Sequence, residues 1–489
     1  VSSHESLPES LPDGSNNSMA ISAVDAIVKS YDIRGVVENQ LTPLVAYALG
    51  VAAVAELGLE GKGFIVGHDM RPSSPELARA LEAGARDSGA NVRSVGLAST
   101  DMVYFASGRF DEAAAMITAS HNPPEYNGIK FAKAGAKGVS FDNGLSGIRD
   151  RAKAWLGKDI QVTIPAEPSG VTDVLIGYAE FLRSLVDISD GRRLKVVVDA
   201  ANGMAGYTVP AVLGTGVGLD ELPLDVVPLY FELDGTFPNH EANPLEPKNL
   251  VDLQQAVVAH GADVGLAFDG DADRCFVVDE RGEPVSPSVV GSIVAKREIR
   301  RVRETSGEDT PTVLHNLICS RVVAETIAAE GGIPVRTSVG HSLIKDVMAR
   351  TNAVCGAEHS AHYYFRDFFG ADSGMLAALH VLAERGAADV PLSEIAKDYM
   401  PYVQSGEINT RVSDVHAVVQ RIEQAFDQRA TIDRLDGLTV TGPGEGPAMW
   451  WFNVRASNTE PLLRLNVEAG SLDTLDAVTS EVQALIAAE

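Results

Sequence analysis

Val264-Gly265-Leu266-Ala267-Phe268-Asp269-Gly270-Asp271-Ala272-Asp273-Arg274 runs from five residues without a polar side chain straight into three carboxylates. An unbroken apolar stretch of this length, closed by a glycine-bearing polar turn, predicts a buried strand. The same grammar recurs at Phe64 to Asp69, at Val196 to Gly203 and at Val313 to Asn316. Helix-like apolar spacing falls between these runs, at Pro75 to Ser88, Val171 to Asp187, Leu250 to His260 and Ser342 to Arg350. Strand, turn and helix in series predict α/β domains, whose ligands bind outside the carboxyl ends of the strands. From about Gly406 the pattern changes to a helix at Asp414 to Arg429, then strands around the loop Gly442 to Pro447, then a helix at Leu472 to Ala488. That reads as a smaller α+β domain.

At 489 residues the chain is too long for one core and calls for roughly three or four domains of about 100–200 residues. Breaks rich in Pro, Gly and polar residues divide it into 19–170, 171–284, 285–400 and 401–489. Val1 to Ser18 is rich in Ser, Pro, Glu and Asn and reads as a disordered tail without the apolar stretch of a signal peptide. A formal net charge of -27 argues against nucleic acid or an anionic membrane as partner, and no run matches a membrane span. The apolar stretch Val45 to Gly58 is expected as a buried helix. Three cysteines, Cys275, Cys319 and Cys355, lack metal or redox spacing, so a cytoplasmic setting with reduced thiols is expected.

Four segments carry chemistry. Ser120, in Thr118-Ala119-Ser120-His121-Asn122-Pro123, follows the apolar run Ala113 to Ile117, where its hydroxyl is exposed at a strand end or caps the next helix. His121 and Lys130 add a proton carrier and a cation. Asp269, Asp271 and Asp273 repel one another unless water or a metal compensates them. Calcium in an EF-hand is the rival, with Glu280 at position twelve, but Arg274 stands where the loop needs glycine and an apolar strand follows; hard oxygen ligands shared with a phosphate suit Mg2+. Glu358 and Ser360, one residue apart, would share a face of an extended segment and address neighbouring hydroxyls. Arg455, Ser457, Asn458 and Thr459, closed by Pro461 and followed by Arg464, make a donor-rich anion nest. Tyr31-Asp32-Ile33-Arg34-Gly35 supplies a further arginine.

Together these strings resemble the α-D-phosphohexomutase superfamily, most closely its phosphomannomutase/phosphoglucomutase branch, from Tyr31 to Arg464. The resemblance implies four domains around a central cleft, three α/β with mixed sheets and one smaller α+β at the C-terminus. It implies that Ser120 is a phosphoserine and that Asp269, Asp271 and Asp273, with the phosphate on Ser120, hold Mg2+. Arg34, His121, Lys130 and Arg274 would surround the transferring group, with Lys130 or His121 as general base. Tyr31, Gly340, His341, Glu358, Ser360 and His362 would line the sugar site, and Arg455, Ser457, Asn458, Thr459 and Arg464 would hold the phosphate that does not react. Hexose 1- and 6-phosphates would interconvert through a hexose 1,6-bisphosphate, in a monomer or dimer.

Two departures bear on the sugar. Ala361 stands where many relatives have glycine, and Ile318 where several carry lysine. A phosphoglucosamine mutase resembles G-E-Q-S-G-H at the sugar loop, where this chain has His359 for the glutamine. A serine-dependent phosphatase would need no second phosphate nest. A non-catalytic sugar-phosphate-binding protein should lack part of the serine and aspartate set that is present here.

Overall fold

The computed structural model describes residues 15–158, 161–166, 170–456 and 462–488, and the side chains of residues 15–17, 341 and 342 fall outside that description. Its strands form four sheets. In the first, Asn91–Leu97, Gly63–His68 and Ala113–Ile117 run parallel, and Tyr126–Lys133 and Ile33–Val36 continue antiparallel. The second repeats the plan with Leu224–Leu229, Leu194–Asp199 and Val264–Phe268 parallel, then Cys275–Asp279 and Pro284–Val285 antiparallel. The third repeats it again: Ile333–Thr337, Thr312–Asn316 and Cys355–Ala357, then Tyr363–Phe365 and Ala371–Asp372. The first sheet adds a short sixth strand, Lys137–Gly138, beside Tyr126–Lys133, and the source of the edge strand differs. It precedes the others in the first sheet and follows them in the second and third.

The residues explain this plan. Ala113–Ile117 and Val264–Phe268 are buried along their whole length, as central strands covered on both faces must be. The helix Pro43–Leu57 has Thr42 accepting from Val45 N, Pro43 in its first turn and Gly58 left-handed at its end, the expected start and stop chemistry. The helix Ser74–Asp87 lies beside it, and both pack on one face of the first sheet. The other face of that sheet merges with the cores of the second and third into one apolar cluster. The fourth sheet, Val403–Arg411, Leu462–Ala469, Trp450–Ala456, Leu438–Thr441 and Thr431–Asp433, is antiparallel throughout. With the helices Val415–Phe426 and Leu472–Ala487 it encloses a core of its own.

Three expectations need correction. Ser15–Ile27 is a helix, so residues 15–18 are not tail; residues 1–14 lie outside the described residues. The helix expected over Val171 to Asp187 covers only Leu175–Leu185, because Val171 bridges to Ser94 and Thr172 N donates to Ser94 O, extending the first sheet instead. The helix expected from Leu250 starts one residue later, after a 3-10 turn at Pro247–Leu250. All three cysteines are buried and free, and burial pushes each thiol up. Among the described residues no helix is long and apolar enough to cross a membrane.

Candidate active site

Each α/β domain contributes the turn that follows its third strand. Ser120 follows Ala113–Ile117, the aspartates follow Val264–Phe268, and Glu358 follows Cys355–Ala357. The first two turns meet directly. Ser120 Oγ donates to Asp269 Oδ2 at 2.7 Å, and Gly270 lies so close that a Cβ there would sit 2.3 Å from Ser120 O. Only glycine allows that approach. Ser120 caps no helix; its φ is 51°, a left-handed conformation that costs an L-residue on the order of 1–2 kcal/mol.

The group that holds this conformation carries no motif of its own. Arg71, fully buried, donates to the carbonyls of Ser120 (3.0 Å), Asn122 (2.6 Å), Pro123 (2.8 Å) and Tyr126 (2.9 Å). Its charge is balanced by Asp69 at 3.3 Å, which also accepts from Thr118 Oγ1, the acceptor in turn for Ser120 N. The only hint was Asp69 and Arg71 at the end of a buried strand, a pattern too common to single out.

Around Ser120 the expected groups converge. Arg274 Nε donates to Asp269 Oδ2 at 2.9 Å and its Nη2 lies 2.6 Å from His121 Nδ1. A guanidinium can only donate, so His121 Nδ1 is an acceptor, 3.3 Å from Ser120 Oγ, and the ring proton is assigned to Nε2. Burial, then Arg274 and Arg34, hold His121 well below the ordinary histidine value, so the ring is neutral. Lys130 lies on Tyr126–Lys133, with Nζ 2.7 Å from Asp271 Oδ2 and 2.6 Å from Asp273 Oδ2. Burial alone would release its proton, but the two carboxylates raise it well above the ordinary lysine value. Arg34 donates to Asp32, to Ala119 O and to Asn122 Oδ1, and so braces the serine turn from the edge strand.

The three aspartates suit a cation. They are buried, each offers an oxygen within 4.8 Å of the others, and Asp271 Oδ1 and Asp273 Oδ1 have no hydrogen-bond partner among the described residues. Burial and, less strongly, the neighbouring Asp273 and Asp271 push Asp269 up to about 7 in spite of Arg274. Burial would raise Asp271 too, but Lys130, with a hydrogen bond from Thr100, brings it far below the carboxylate range. One carboxyl thus tends to stay protonated where three crowd together, and a metal ion would replace that proton. Thr100, another residue the sequence did not single out, fixes this turn by donating Oγ1 to Asp271 Oδ2 at 2.5 Å and N to Asp271 O at 3.0 Å.

The third turn differs from expectation. Residues 358–362 are not extended: Ala361 N donates to Glu358 O, Glu358 N donates to His362 O, and Ala361 is left-handed at φ 65°. The shared face inferred for Glu358 and Ser360 therefore does not exist. Glu358 is 2% exposed and accepts from Tyr364 OH (2.7 Å), Asn316 Nδ2 (3.2 Å) and Gly340 N (3.2 Å). Ser360 Oγ instead meets His362 Nδ1 at 3.0 Å, and His362 Nε2 comes within 3.8 Å of Asp273 Oδ1, which joins this turn to the aspartate turn. Tyr31 OH donates to Val339 O, and Gly340 has φ 132° with Tyr31 where a Cβ would be. His341 opens the helix His341–Thr351. Arg455 and Arg464 stand on adjacent strands of the C-terminal domain; Ser457, Asn458 and Thr459 lie outside the described residues.

Family models for phosphoglucomutase/phosphomannomutase α/β/α domains I, II and III match residues 25–154, 177–282 and 287–402, and the C-terminal domain of that family matches 407–485. The chain belongs to the phosphoglucomutase/phosphomannomutase family. It is 39% identical to a protein of Xanthomonas campestris named "Phosphohexose mutases", over 94% of this chain and 98% of that one. It is 34% identical to the phosphomannomutase of Escherichia coli K12 over the same shares. A crystal structure of a family member from Burkholderia thailandensis superposes with a TM-score of 0.82 at 29% identity, covering 94% of this chain and 96% of that one. The protein is accordingly a hexose phosphate mutase, an intramolecular phosphotransferase, with four domains, three of them α/β/α and the fourth a separate C-terminal domain.

Proposed function

We propose that this mutase interconverts the 1- and 6-phosphates of mannose and glucose by lending a phosphoryl group from Ser120 and recovering another. The observation that carries the reading is the position of Ser120 Oγ, 2.7 Å from an aspartate of a buried trio with two unspent oxygens. The donor set of Asp269, Asp271 and Asp273 fits Mg2+, a hard cation often shared with phosphate oxygens; when bound it neutralises charge on the transferring group. The other parts are the chain's own. A hexose phosphate binds with its phosphate on Arg455, Ser457, Asn458, Thr459 and Arg464 and its free hydroxyl toward Ser120. The hydroxyl oxygen forms the new bond to phosphorus while the bond to Ser120 Oγ breaks. Lys130 Nζ gives a proton to Ser120 Oγ as that bond breaks and takes the hydroxyl proton in its place, so the half-reaction balances. Turning the resulting 1,6-bisphosphate end for end and repeating the exchange in reverse gives the isomer.

Of the two candidate bases, Lys130 is favoured. His121 Nδ1 already accepts from Arg274 and its remaining nitrogen carries the proton, so it serves as a donor. Lys130 keeps its proton because of Asp271 and Asp273, so it acts first as donor to the departing serine oxygen and then as base to the hydroxyl. Arg274, Arg34 and the neutral His121 are preorganised donors around the transferring group. Tyr31, Gly340, His341, Ser360 and His362 line the sugar, with Glu358 partly committed to bracing them. Ser120→Ala should abolish sustained turnover while preserving sugar-phosphate binding, and chelation of divalent metal should stop the wild type reversibly. Mutase rates near normal in either experiment would refute the reading.

A further inference from the structure

The end of the C-terminal domain that carries the phosphate nest already holds an anion of its own. Arg455 and Arg464 are direct partners across the antiparallel strands Trp450–Ala456 and Leu462–Ala469, a position where like charges repel. Glu407, on the neighbouring strand Val403–Arg411, lies between them: Oε2 is 3.4 Å from Arg455 Nη2 and Oε1 is 3.5 Å from Arg464 Nη1. One oxygen per guanidinium is also how a phosphate would bridge the pair.

The placement of Glu407 depends on a fault in the ladder. Gln404 pairs with Glu468 but Glu407 pairs with Asn466, so one extra residue is inserted between them, beside Gly406 at φ 69°. Without that bulge Glu407 would fall opposite Leu465, which is fully buried in the apolar core of the domain. A slip of one residue exchanges the faces of a strand, and a bulge is a known means of re-aiming a side chain. Here it moves a carboxylate from the core face to the arginine face. The contacts it then makes are longer than the 2.7–2.9 Å usual for such pairs, and Glu407 is about one-third exposed, at 34%. Arg455, by contrast, is only 11% exposed, and its Nε has no hydrogen-bond partner among the described residues. The arginine is held in place with donor capacity left over, while the carboxylate is held only by long contacts, those to the two arginines and one from Asn409 Nδ2 at 3.4 Å.

We propose that Glu407 is a resident anion of the phosphate site: it bridges Arg455 and Arg464 in the free enzyme and is displaced by the phosphate that does not react. The proposal rests on the reading of the Arg455 loop as the phosphate nest. Displacement offsets part of the attraction between phosphate and arginines, so it weakens ground-state binding and speeds release. A mutase needs this, because the bisphosphate must leave the nest at one end and return by the other.

The test is the sign of a change. Glu407→Gln keeps the shape and removes the competing charge. It should lower KM for glucose 1-phosphate by about fivefold, the scale of two exposed ion pairs, with no rise in kcat, because the gain is in uniform binding. Glu407→Asp, which retracts the charge, should fall between the two. In an Arg455→Ala background, where KM should be raised, Glu407→Gln should have less effect. If KM rises in Glu407→Gln, the carboxylate orients the arginines and does not compete, and the proposal fails while the nest stands. If Arg455→Ala leaves KM unchanged, the nest reading itself fails.

Discussion

Arg71 reaches no reacting atom, yet four carbonyls of the serine turn converge on its guanidinium. Lysine has the charge but cannot present donors in four directions from a plane. Arg71→Lys should therefore let the left-handed Ser120 relax and lower kcat by about 10²-fold, the usual consequence of misplacing a reacting group by an ångström. KM for the sugar phosphate should change little, since the remote nest is intact. Steady-state kinetics decides it: a loss confined to KM would show that Arg71 supports binding instead. The contrast with Ser120, His121, Lys130, Arg274 and the aspartates is instructive. Those residues were legible because their types and spacing are unusual for a structural role. A buried arginine that serves main-chain carbonyls has no sequence signature, since its partners belong to any residue type.

At the scale of elements, the three turns after the third strands form the centre because each sheet repeats one plan. The alternation of apolar runs and helical patterns was enough to foresee α/β domains. That the sheets are mixed followed from the family resemblance, because the residue pattern does not state whether the next strand runs parallel or antiparallel. The same blindness to turns misplaced Glu358 and Ser360: spacing by two implies a shared face only in extended backbone, and residues 358–362 fold back on themselves. Close approach of turns gives a sharp prediction. Gly270→Ala would place a methyl 2.3 Å from Ser120 O, so the serine and aspartate turns must separate. Activity should fall by at least about 10²-fold, with weaker metal dependence, and an active variant with normal metal affinity would contradict the contact.

Across the whole molecule, domains I to III share one continuous core and the C-terminal domain has its own. Polar contacts join the latter to domain III, among them Val339 N donating to Asp436 Oδ2 at 3.0 Å and Arg321 N donating to Glu468 Oε1 at 2.9 Å. Asp101 performs the matching task inside the large core. Next to Thr100, it accepts from Ser99, from Tyr178 of domain II at 2.6 Å and from Ser373 of domain III at 2.7 Å. Burial pushes its carboxyl up to about 6 in spite of these donors. A carboxyl that holds its proton more tightly in the fold stabilises it fully below the unfolded pKa and loses that contribution as pH rises through about 6. Wild type should thus lose stability relative to Asp101→Asn as pH rises from about 4 to 8. A pH-independent difference in unfolding free energy would show the carboxyl to be ionised throughout.

Specificity also belongs to the whole molecule, because in the proposed mechanism the sugar binds in two opposite orientations. The groups at O3 and O4 nearly exchange places on turning over, while glucose and mannose differ only at C2. Activity on both sugars is expected, and kcat/KM ratios beyond about 10³ would require a dedicated contact to O2. The most direct measurement of the central claim is a single turnover. The protein is charged with a hexose 1,6-bisphosphate, its mass gain of about 80 Da, one phosphoryl group, is mapped, and glucose 1-phosphate is then added. The account predicts that the added mass lies on Ser120 and leaves at the rate of catalysis, with glucose 1,6-bisphosphate appearing in step. A label on another residue, or one on Ser120 that stays while mutase turnover proceeds, would contradict it.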